Sequence, residues 1–519
     1  MSDPSAMADA RTAPQPYTGL TLAFLTFVLS MANVMEVLDL TIANVAIPTI
    51  TGDLAVAPSQ GAWVITSYAV ANAITVPLAG WFAGRFGQVR VYATMIACFT
   101  GASLLCALAT SLELLVTFRV LQGAAAGFMV PLSQALLLSN FPPAKRGMAL
   151  AIWVMTITVA PIIGPLLGGW ITDNYHWSWI FLINLPFGVF ASITTWLMLR
   201  DRDTETRKLP VDWTGIGLIV LWVGCLQILL DKGNELDWFH SGFIVTLGVI
   251  ALLGFALFLA WELTEEHPVV DLGLFRFRNF RSGVITVSLG YALFFAGVIL
   301  LPLWLQTQLG YTSQWAGYAL APGGVFAVLF APVVGRAIGK GVDPRLLATV
   351  GFLTFALTGY WRSTFNTGAD FATIMLPQWL QGVGVAFFFA PLFSINLSGI
   401  PIARIANATA LQNFLRMMLG SFAASITIAG WDHRQSIHRT QLIEHVNAYD
   451  APARDMLDKL TSLGMSTDSA HEQINRMVDS QAYMLATNDV FWVITGLFLA
   501  LIAVLWTTKP PFGASPAAH

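Results

Sequence analysis

The chain has 519 residues, of which 56% are hydrophobic and only 11% are charged. Soluble globular proteins carry about 25% charged residues, so this composition excludes a chain built from soluble domains. The formal net charge of −3 provides no basic field for nucleic-acid binding. The three cysteines lie in apolar runs and indicate neither a disulfide framework nor a zinc site. The composition therefore predicts an all-α polytopic membrane protein.

The first predicted element is a membrane span that follows a polar tail over residues 1–16. Its apolar run is too long for the hydrophobic region of a signal peptide, so we expect an uncleaved span. A spanning helix needs about 20 mostly apolar residues. The sequence predicts fourteen such helices, numbered here in chain order: 17–48, 58–81, 89–108, 112–138, 145–171, 178–199, 211–230, 240–261, 281–305, 313–337, 343–361, 373–398, 405–430 and 488–507.

The distribution of Lys and Arg predicts the orientation of these helices. If the N-terminus is cytoplasmic, the short outer loops contain only Lys232 and Arg362, and most other basic residues fall in cytoplasmic segments. The positive-inside rule therefore predicts that both termini are cytoplasmic. The two remaining basic residues outside the long 431–487 segment, Arg119 and Arg416, fall within spans.

Two short segments recur along the chain. Residues 77–90 (PLAGWFAGRFGQVR) match 332–345 (PVVGRAIGKGVDPR) at an offset of 255, and the LQG of helix 4 matches that of helix 12 at an offset of 259. Both matches shift the helix number by eight, which predicts the parallel six-helix repeats of the major facilitator fold. The predicted parts are an N-terminal bundle over 17–199, two inserted helices over 211–261, a C-terminal bundle over 281–507 that includes an outer segment at 431–487, and a cytoplasmic tail over 508–519.

Three charged residues fall within the first and fourth helices. Asp39 and Arg119 lie roughly 13 Å and 10 Å below the outer ends of helices 1 and 4, and Glu36 lies one turn deeper than Asp39. A charge inside a span costs roughly 2.5–3.5 kcal/mol on insertion scales, so such residues are usually paired or functional. One hypothesis is a proton relay, in which a carboxyl group binds a proton and releases it when Arg119 approaches. The alternative is a static Asp39–Arg119 bridge that fixes helix 1 against helix 4.

Helix 5 contains the run APIIGPLLGG at residues 160–169. Gly164 and Pro165 predict a kink, because proline removes a backbone hydrogen bond. Gly164, Gly168 and Gly169 predict a surface for close contact with another helix. Arg416 lies about 16 Å into helix 13. The alternatives for its side chain are that it binds an anionic group, snorkels, or satisfies backbone carbonyls.

Aromatic residues in the central helices could line an apolar substrate pocket, and the alternative for each is packing or an interfacial belt. The substrate-binding candidates are Trp63, Tyr68, Gln122, Trp153, Tyr291, Phe294, Phe295, Trp304, Trp379, Gln381, Phe387 and Arg416.

The outer segment 431–487 holds four of the eight histidines and predicts short amphipathic helices, which either dock a partner or form a solvated cap. Its histidines lack metal-ligand spacing, so we expect no metal. The sequence contains no enzymatic motif and no GxxxxGK[ST] loop for ATP, so we expect transport that is driven by an ion gradient or by none.

Five motifs together resemble one family: LDLTIANVAIPTI (38–50), GWFAGRFGQVR (80–90), RVLQG (119–123), APIIGPLLGG (160–169) and NFLRMMLGS (413–421). They are similar to those of the fourteen-helix drug:proton antiporters of the major facilitator superfamily, and the similarity extends over nearly the whole chain.

This resemblance implies multidrug efflux from the bacterial cell inner membrane, driven by the proton gradient and without a cofactor. It implies a tripartite system with a periplasmic adaptor protein of the EmrA type and an outer-membrane channel of the TolC type. A narrow exporter of fatty acids or of a metabolite, and a non-transporting scaffold, are the alternative functions.

The resemblance also assigns residues. It implies proton coupling by Asp39 and Arg119 and an antiporter motif around Gly164 and Pro165. It implies a conformational loop between helices 2 and 3 with Gly80, Gly84, Arg85, Gly87 and Arg90. Three positions depart from the family pattern: Gly84 stands where the family usually has an acidic residue, Ala160 stands where it tends to have glycine, and Glu36 is an extra carboxylate.

Overall fold

The computed structural model describes residues 17–56, 58–61, 63–142, 145–204, 206, 210–444, 446 and 451–512. Over these ranges the chain is helical and contains no β-strand, as the composition predicts. The predicted tail at 1–16, and the end of the tail at 508–519, lie outside the described residues. The fourteen long helices are α1 Gly19–Asp53, α2 Trp63–Phe86, α3 Gln88–Ala107, α4 Leu112–Asn140, α5 Arg146–Asn174, α6 Asn184–Leu199, α7 Trp213–Lys232, α8 Gly242–Thr264, α9 Arg278–Thr307, α10 Ser313–Gly339, α11 Pro344–Arg362, α12 Phe371–Asn396, α13 Ile405–Glu444 and α14 Thr467–Leu505.

The prediction of an all-helical membrane fold is confirmed. Each predicted span corresponds to one long helix, and twelve of the described helices are long and apolar enough by themselves to cross a membrane. Helices satisfy every backbone hydrogen bond within the segment, which is what the water-free bilayer interior requires. The helix starts are fixed locally: Ser111 caps α4 by accepting from the Leu114 amide at 3.3 Å, and Asp370 caps α12 by accepting from the Thr373 amide at 2.9 Å.

The outer segment differs from its prediction. Short separate helices were predicted over 431–487, but α13 and α14 continue through most of it, as helices of 40 and 39 residues. Only the short outer helix, Ala451–Ser462, is separate. Two ion pairs join α13 to α14 here, Arg434 with Asp489 and Arg439 with Asp479, each at 2.5 Å; of these four residues only Asp489 falls within a predicted span.

The two halves of the chain share one packing pattern. In the N-terminal bundle α1 packs on α5 and α6, while α4 packs on α2 and α3. In the C-terminal bundle α9 packs on α13 and α14, while α12 packs on α10 and α11, the same pairs shifted by eight. The inserted helix α7 contacts both bundles, through α2 and α13. The architecture is therefore two six-helix bundles with two inserted helices.

The bundles meet closely at the end that carries both chain termini. Gly335 of α10 lies against the backbone of α5, where a Cβ would be 2.9 Å from the Met148 Cα. Gly80 of α2 is closer still to α13, since a Cβ there would be 2.6 Å from the Asn407 Cα. The Thr409 hydroxyl donates to the Pro131 carbonyl at 3.1 Å. These contacts join α10 to α5 and α13 to α2 and α4, so the two bundles are in direct contact at this end.

Candidate functional site

A buried ion pair joins α1 to α4. Arg119 Nη1 lies 2.5 Å from Asp39 Oδ2, and the two side chains are 0% and 1% exposed. Arg119 Nε also donates to the Val64 carbonyl at 3.0 Å, and the guanidinium lies 4.2 Å from the centroid of the Tyr68 ring. The structure thus brings together Asp39 and Arg119, whose predicted depths placed them side by side. Arg119 also contacts α2, through Val64 and Tyr68.

Side-chain amides complete the surroundings of the carboxylate. Gln122 Nε2 and Asn184 Nδ2 donate to Asp39 Oδ1 at 2.9 and 2.7 Å. Both amides also donate to Ser103 Oγ, at 3.2 and 3.0 Å. We call these five residues, Asp39, Ser103, Arg119, Gln122 and Asn184, the carboxylate centre. It ties α1, α3, α4 and α6 together, so a change in the charge of Asp39 affects the packing of four helices.

Sequence reasoning missed two members of the carboxylate centre. Ser103 and Asn184 are polar residues inside apolar spans, and this polarity was the sequence signal that could have identified both as members of the site. Gln122 was expected to bind substrate, but it is fully buried and its amide groups are engaged by Asp39, Arg119 and Ser103.

Glu36 lies apart from Arg119, on the side of α1 that faces the other bundle. Its Oε1 accepts from Asn72 Nδ2 at 3.1 Å, and its Oε2 is buried with no hydrogen-bond partner among the described residues. The charge that acts on it most strongly belongs to Arg416 of α13. The two carboxylates on α1 therefore have different partners: Asp39 binds residues of α4 and α6, whereas Glu36 binds Asn72 of α2 and is attracted by the charge of Arg416 on α13.

Arg416 belongs to a polar layer between the bundles. Its Nη2 donates to Asn413 Oδ1 at 3.0 Å, and its guanidinium lies 4.7 Å from the Tyr291 ring centroid. Asn413 Nδ2 in turn donates to Gln134 Oε1 of α4 at 2.9 Å. The inter-bundle layer is defined here as Glu36, Asn72, Gln134, Tyr291, Asn413 and Arg416.

Only some of the predicted substrate residues adjoin this layer. Tyr291 stacks on Phe295 with ring centroids 5.5 Å apart, and Phe294 contacts Tyr291 at 6.3 Å. Trp153 of α5 meets Phe393 of α12 at 5.6 Å, between the bundles. These rings form an apolar wall that is continuous with the polar layer.

The other aromatic candidates lie elsewhere. Trp304 is fully buried and stacks on Phe365 within the C-terminal bundle, while Trp379 and Phe387 pack against rings of α10. Tyr68 belongs to the surroundings of Arg119. Trp63 is 37% exposed, and the Lys232 ammonium lies 5.5 Å from its ring.

The glycines of α5 contact α1 one turn beyond the carboxylate centre. The space of a Cβ on Gly164 is occupied by the Thr41 hydroxyl, and a Cβ on Gly168 would lie 3.1 Å from the Ile42 carbonyl oxygen. Gly169 faces open space, and the side chain of Pro165 lies outside the described residues. Two of the three predicted contact glycines therefore hold α5 against the segment of α1 that follows Asp39.

The loop between α2 and α3 obtains its acidic partner from elsewhere in the chain. Gly87 has φ +96°, a conformation that favours glycine, and the Asp203 carboxylate fills the space beside it. Asp203 accepts from the Val89 and Arg90 amides at 2.9 and 3.3 Å, which caps α3. Gly84 faces open space and Arg85 lies 5.7 Å from the Trp81 ring. Asp203, which follows α6, thus supplies the carboxylate that position 84 lacks.

Arg362 was predicted in an outer loop, and that prediction was wrong. The residue ends α11 and its side chain turns inward, with only 4% exposed. Its Nη2 donates to Gln378 Oε1 at 2.7 Å and also to Gln381 Oε1. Gln381 was a substrate candidate, but it binds a guanidinium, as Gln122 does in the other bundle. The sequence signal for this buried contact was Gln378, which stands at the position in helix 12 that aligns with Arg119 in helix 4.

Comparisons with known proteins place this geometry among transporters. The family model described as Major Facilitator Superfamily matches residues 29–425. The multidrug export protein EmrB of Escherichia coli K12 is 48% identical over 501 residues, covering 96% of this chain and 98% of that protein. The fatty acid resistance protein FarB of Neisseria gonorrhoeae is 47% identical over 504 residues, covering 97% and 99%.

Solved structures share the fold at low identity. The human organic anion transporter MFSD10 (TETRAN) superposes with a TM-score of 0.58 at 12% identity, covering 93% of this chain and 99% of that one. The proton:xylose symporter XylE gives a TM-score of 0.58 at 14% identity, covering 95% and 97%. These two similarities bear on the fold alone.

Proposed function

Because the chain belongs to the major facilitator superfamily and is a multi-pass membrane transporter, we propose that it exports hydrophobic and amphipathic toxic compounds in exchange for protons. The proton gradient drives the exchange, and no cofactor takes part. The observation that carries the proposal is the carboxylate centre, in which a charged Asp39 accepts hydrogen bonds from three side chains of two other helices.

Protonation of Asp39 would change the packing of the N-terminal bundle. A neutral carboxyl group no longer balances the charge of Arg119, and an unpaired charge inside a bundle is costly. The guanidinium would then keep the Val64 carbonyl, Gln122 Oε1 and the Tyr68 ring as its neighbours, and α1 would be freed to shift against α4. Gly164 and Gly168 would transmit this shift to α5, which lies at the contact with α10.

Glu36 provides a second proton site at the interface between bundles. When charged, it attracts Arg416 and holds α1 toward α13, and when protonated it loses that attraction. Proton binding would thereby alter both the packing within one bundle and the attraction between the two. The two carboxyl groups have separate hydrogen-bond partners but stand three residues apart on α1, so the charge of Asp39 also acts on Glu36.

The inter-bundle layer is the proposed substrate site. Tyr291, Phe295 and Trp153 offer aromatic surface, while Glu36 and Arg416 offer one charge of each sign. Apolar walls with few polar groups are typical of sites that bind drug-sized molecules. A cationic drug would neutralise Glu36, so substrate and proton would compete for one carboxylate.

A narrower function, export of fatty acids, is the second candidate. Arg416 is a buried cation in the same layer, and its Nε has no hydrogen-bond partner among the described residues. The relative FarB, 47% identical, is described as a fatty acid resistance protein. Under this alternative the carboxylate of the fatty acid binds Arg416, and Arg416→Gln abolishes its transport while cationic drugs are still exported.

The experiment that tests the proposal measures export in proteoliposomes under an imposed pH gradient. We expect uptake of a fluorescent cationic drug that collapses when a protonophore dissipates the gradient. Purified protein in weak buffer should also release protons when the drug is added. Transport that persists without the gradient would refute proton coupling, and the absence of flux for all drugs and fatty acids would refute export.

Replacement of Glu36 by Gln is expected to remove the pH dependence of drug binding. In the wild type, competition between drug and proton should change the affinity for a cationic drug by about 5-fold or more between acidic and alkaline pH, with weaker binding at low pH. The E36Q variant cannot bind a proton at this position, so its affinity should be low and independent of pH. Isothermal titration calorimetry across pH measures both effects.

The matched control is Asp53→Asn at the exposed end of α1, which should titrate like the wild type. A drug affinity that keeps its full pH dependence in E36Q would exclude Glu36 as the site of competition.

We propose that the outer extensions of α13 and α14 dock a periplasmic adaptor of the EmrA type. The adaptor would connect the transporter to an outer-membrane channel of the TolC type. This arrangement places the protein in the inner membrane with both termini cytoplasmic. The exposed residues of the short outer helix and the rigid pairing of the two extensions support a docking role.

Replacement of residues 446–466 by a short Gly/Ser linker is expected to abolish co-purification with an EmrA-type adaptor. The deletion removes the short outer helix but leaves the Arg434–Asp489 and Arg439–Asp479 pairs in place, so drug binding should be unchanged. Pull-down from detergent measures the first effect and calorimetry the second. Retained adaptor binding would contradict the assignment.

A further inference from the structure

A small, partly open cavity in the C-terminal bundle is lined by α9, α11, α12 and α14. Its volume is about 20 Å³. Aromatic and aliphatic side chains make up most of its lining, and the polar side chains that reach it are Thr358, Arg362 and Gln381. A cavity of this size holds roughly one particle of the size of a water molecule.

Arg362 brings an uncompensated charge to this cavity. The side chain is 96% buried, its Nη2 is bound by Gln378 and Gln381, and its Nε is buried without a hydrogen-bond partner in the described part of the chain. No salt bridge of the described residues includes Arg362. The Phe491 ring, 5.4 Å away, is its other neighbour. A charge inside a membrane bundle is usually paired, so this guanidinium lacks the partner that its position requires.

Comparison with the carboxylate centre of the N-terminal bundle indicates that the missing partner of Arg362 is a carboxylate. The cavity is bounded by α9, α11, α12 and α14, which correspond to α1, α3, α4 and α6 of that centre after a shift of eight. Gln381 corresponds to Gln122. On α9, which corresponds to α1, the residue nearest to this guanidinium is Gly297, 258 residues after Asp39 and so within the range of the repeat offsets of 255 and 259. A Cβ at Gly297 would lie 3.5 Å from Arg362 Nη1.

We propose that this cavity binds a small monovalent anion, such as chloride, in the place of the absent carboxylate. The anion accepts hydrogen bonds from Arg362 and compensates its charge within the bundle. The size of the cavity limits the ligand to a single small ion. The site lies within one bundle and adjoins the inter-bundle layer, because Phe294 lines the cavity and also contacts Tyr291 of the layer.

The test is thermal unfolding of the purified full-length protein in detergent, with chloride compared with gluconate at constant ionic strength. We expect a saturable rise in Tm with chloride and with bromide, because gluconate is too large for the cavity. Arg362→Gln should lose the rise. Gly297→Asp supplies an internal carboxylate, so its Tm in gluconate should match or exceed that of the wild type in gluconate, and it should no longer respond to chloride.

Arg336→Gln serves as the matched control, because it removes an exposed Arg from the end of α10 and should keep the chloride response. A wild type without any chloride response would overturn the proposal, and so would a Gly297→Asp variant that responds like the wild type. The Gly297→Asp result keeps the test informative if Arg362→Gln does not fold.

Discussion

Asp39→Asn is expected to abolish export driven by a pH gradient while the protein remains folded. Asparagine cannot bind or release a proton, yet its side-chain oxygen can still accept from Gln122 and Asn184, which contact Asp39 at 2.9 and 2.7 Å. We expect the coupled rate to fall by at least ~10-fold, equivalent to about 1.4 kcal/mol in the barrier of the coupled step. Drug uptake into proteoliposomes under an imposed gradient measures it.

A double variant distinguishes a role of the Asp39–Arg119 pair in proton coupling from a purely structural role. If the Asp39–Arg119 pair only fixes α1 against α4, the charge-neutral double variant Asp39→Asn/Arg119→Gln should transport normally, since a buried ion pair can be replaced at little cost in stability. The proton-relay hypothesis expects the double variant to be folded and inactive. The control Asp53→Asn makes the same change at the exposed end of α1 and should transport normally. Active export by Asp39→Asn would remove Asp39 from the mechanism.

Arg119→Gln is expected to destabilise the N-terminal bundle strongly. The substitution leaves the Asp39 carboxylate buried without its cation, and breaking a buried pair in this way typically costs about 3–5 kcal/mol. The free energy of unfolding in detergent should fall by this order, with a clear drop in Tm. Arg85→Gln, at the accessible loop between α2 and α3, is the control for loss of one positive charge.

The double variant Asp39→Asn/Arg119→Gln should recover most of the stability lost by Arg119→Gln, because it leaves no uncompensated charge. If the two single changes were additive in the double variant, the stabilising interaction would not be the ion pair. The comparison forms a double-mutant cycle, which isolates the energy of the pair from the energies of the other contacts.

Hydropathy predicted the spans well because the bilayer imposes one simple requirement on each. A run of about 20 apolar residues must form a helix there, so the order and approximate bounds of all fourteen helices followed. The same reasoning located the carboxylate centre, since the depth of Asp39 in helix 1 and of Arg119 in helix 4 can be counted at a fixed rise per residue. The repeat correctly indicated two bundles related by a shift of eight helices.

Hydropathy failed where a residue's environment depends on neighbours distant in sequence. The spans of α13 and α14 were ended where the sequence becomes polar, but cross-helix pairs such as Arg439–Asp479 support both helices beyond that point. Arg362 was assigned to a loop because it stands at the outer end of its helix, and a position at a helix end does not reveal the direction of a side chain. The division of Glu36 and Asp39 between two interfaces likewise depends on the rotation of α1, which the sequence does not specify.

The length of α13 has a mechanical consequence. Its 40 residues form one continuous rod of about 60 Å that begins at the end where the bundles are in direct contact and extends past the outer face. Because α14 is clamped to it by ion pairs, the two rods form a stiff lever anchored in the C-terminal bundle. A tilt of the rod by about 10° displaces its tip by roughly 10 Å relative to its base. Any rocking of this bundle therefore moves the far end of α13 by a larger distance than the base of the helix.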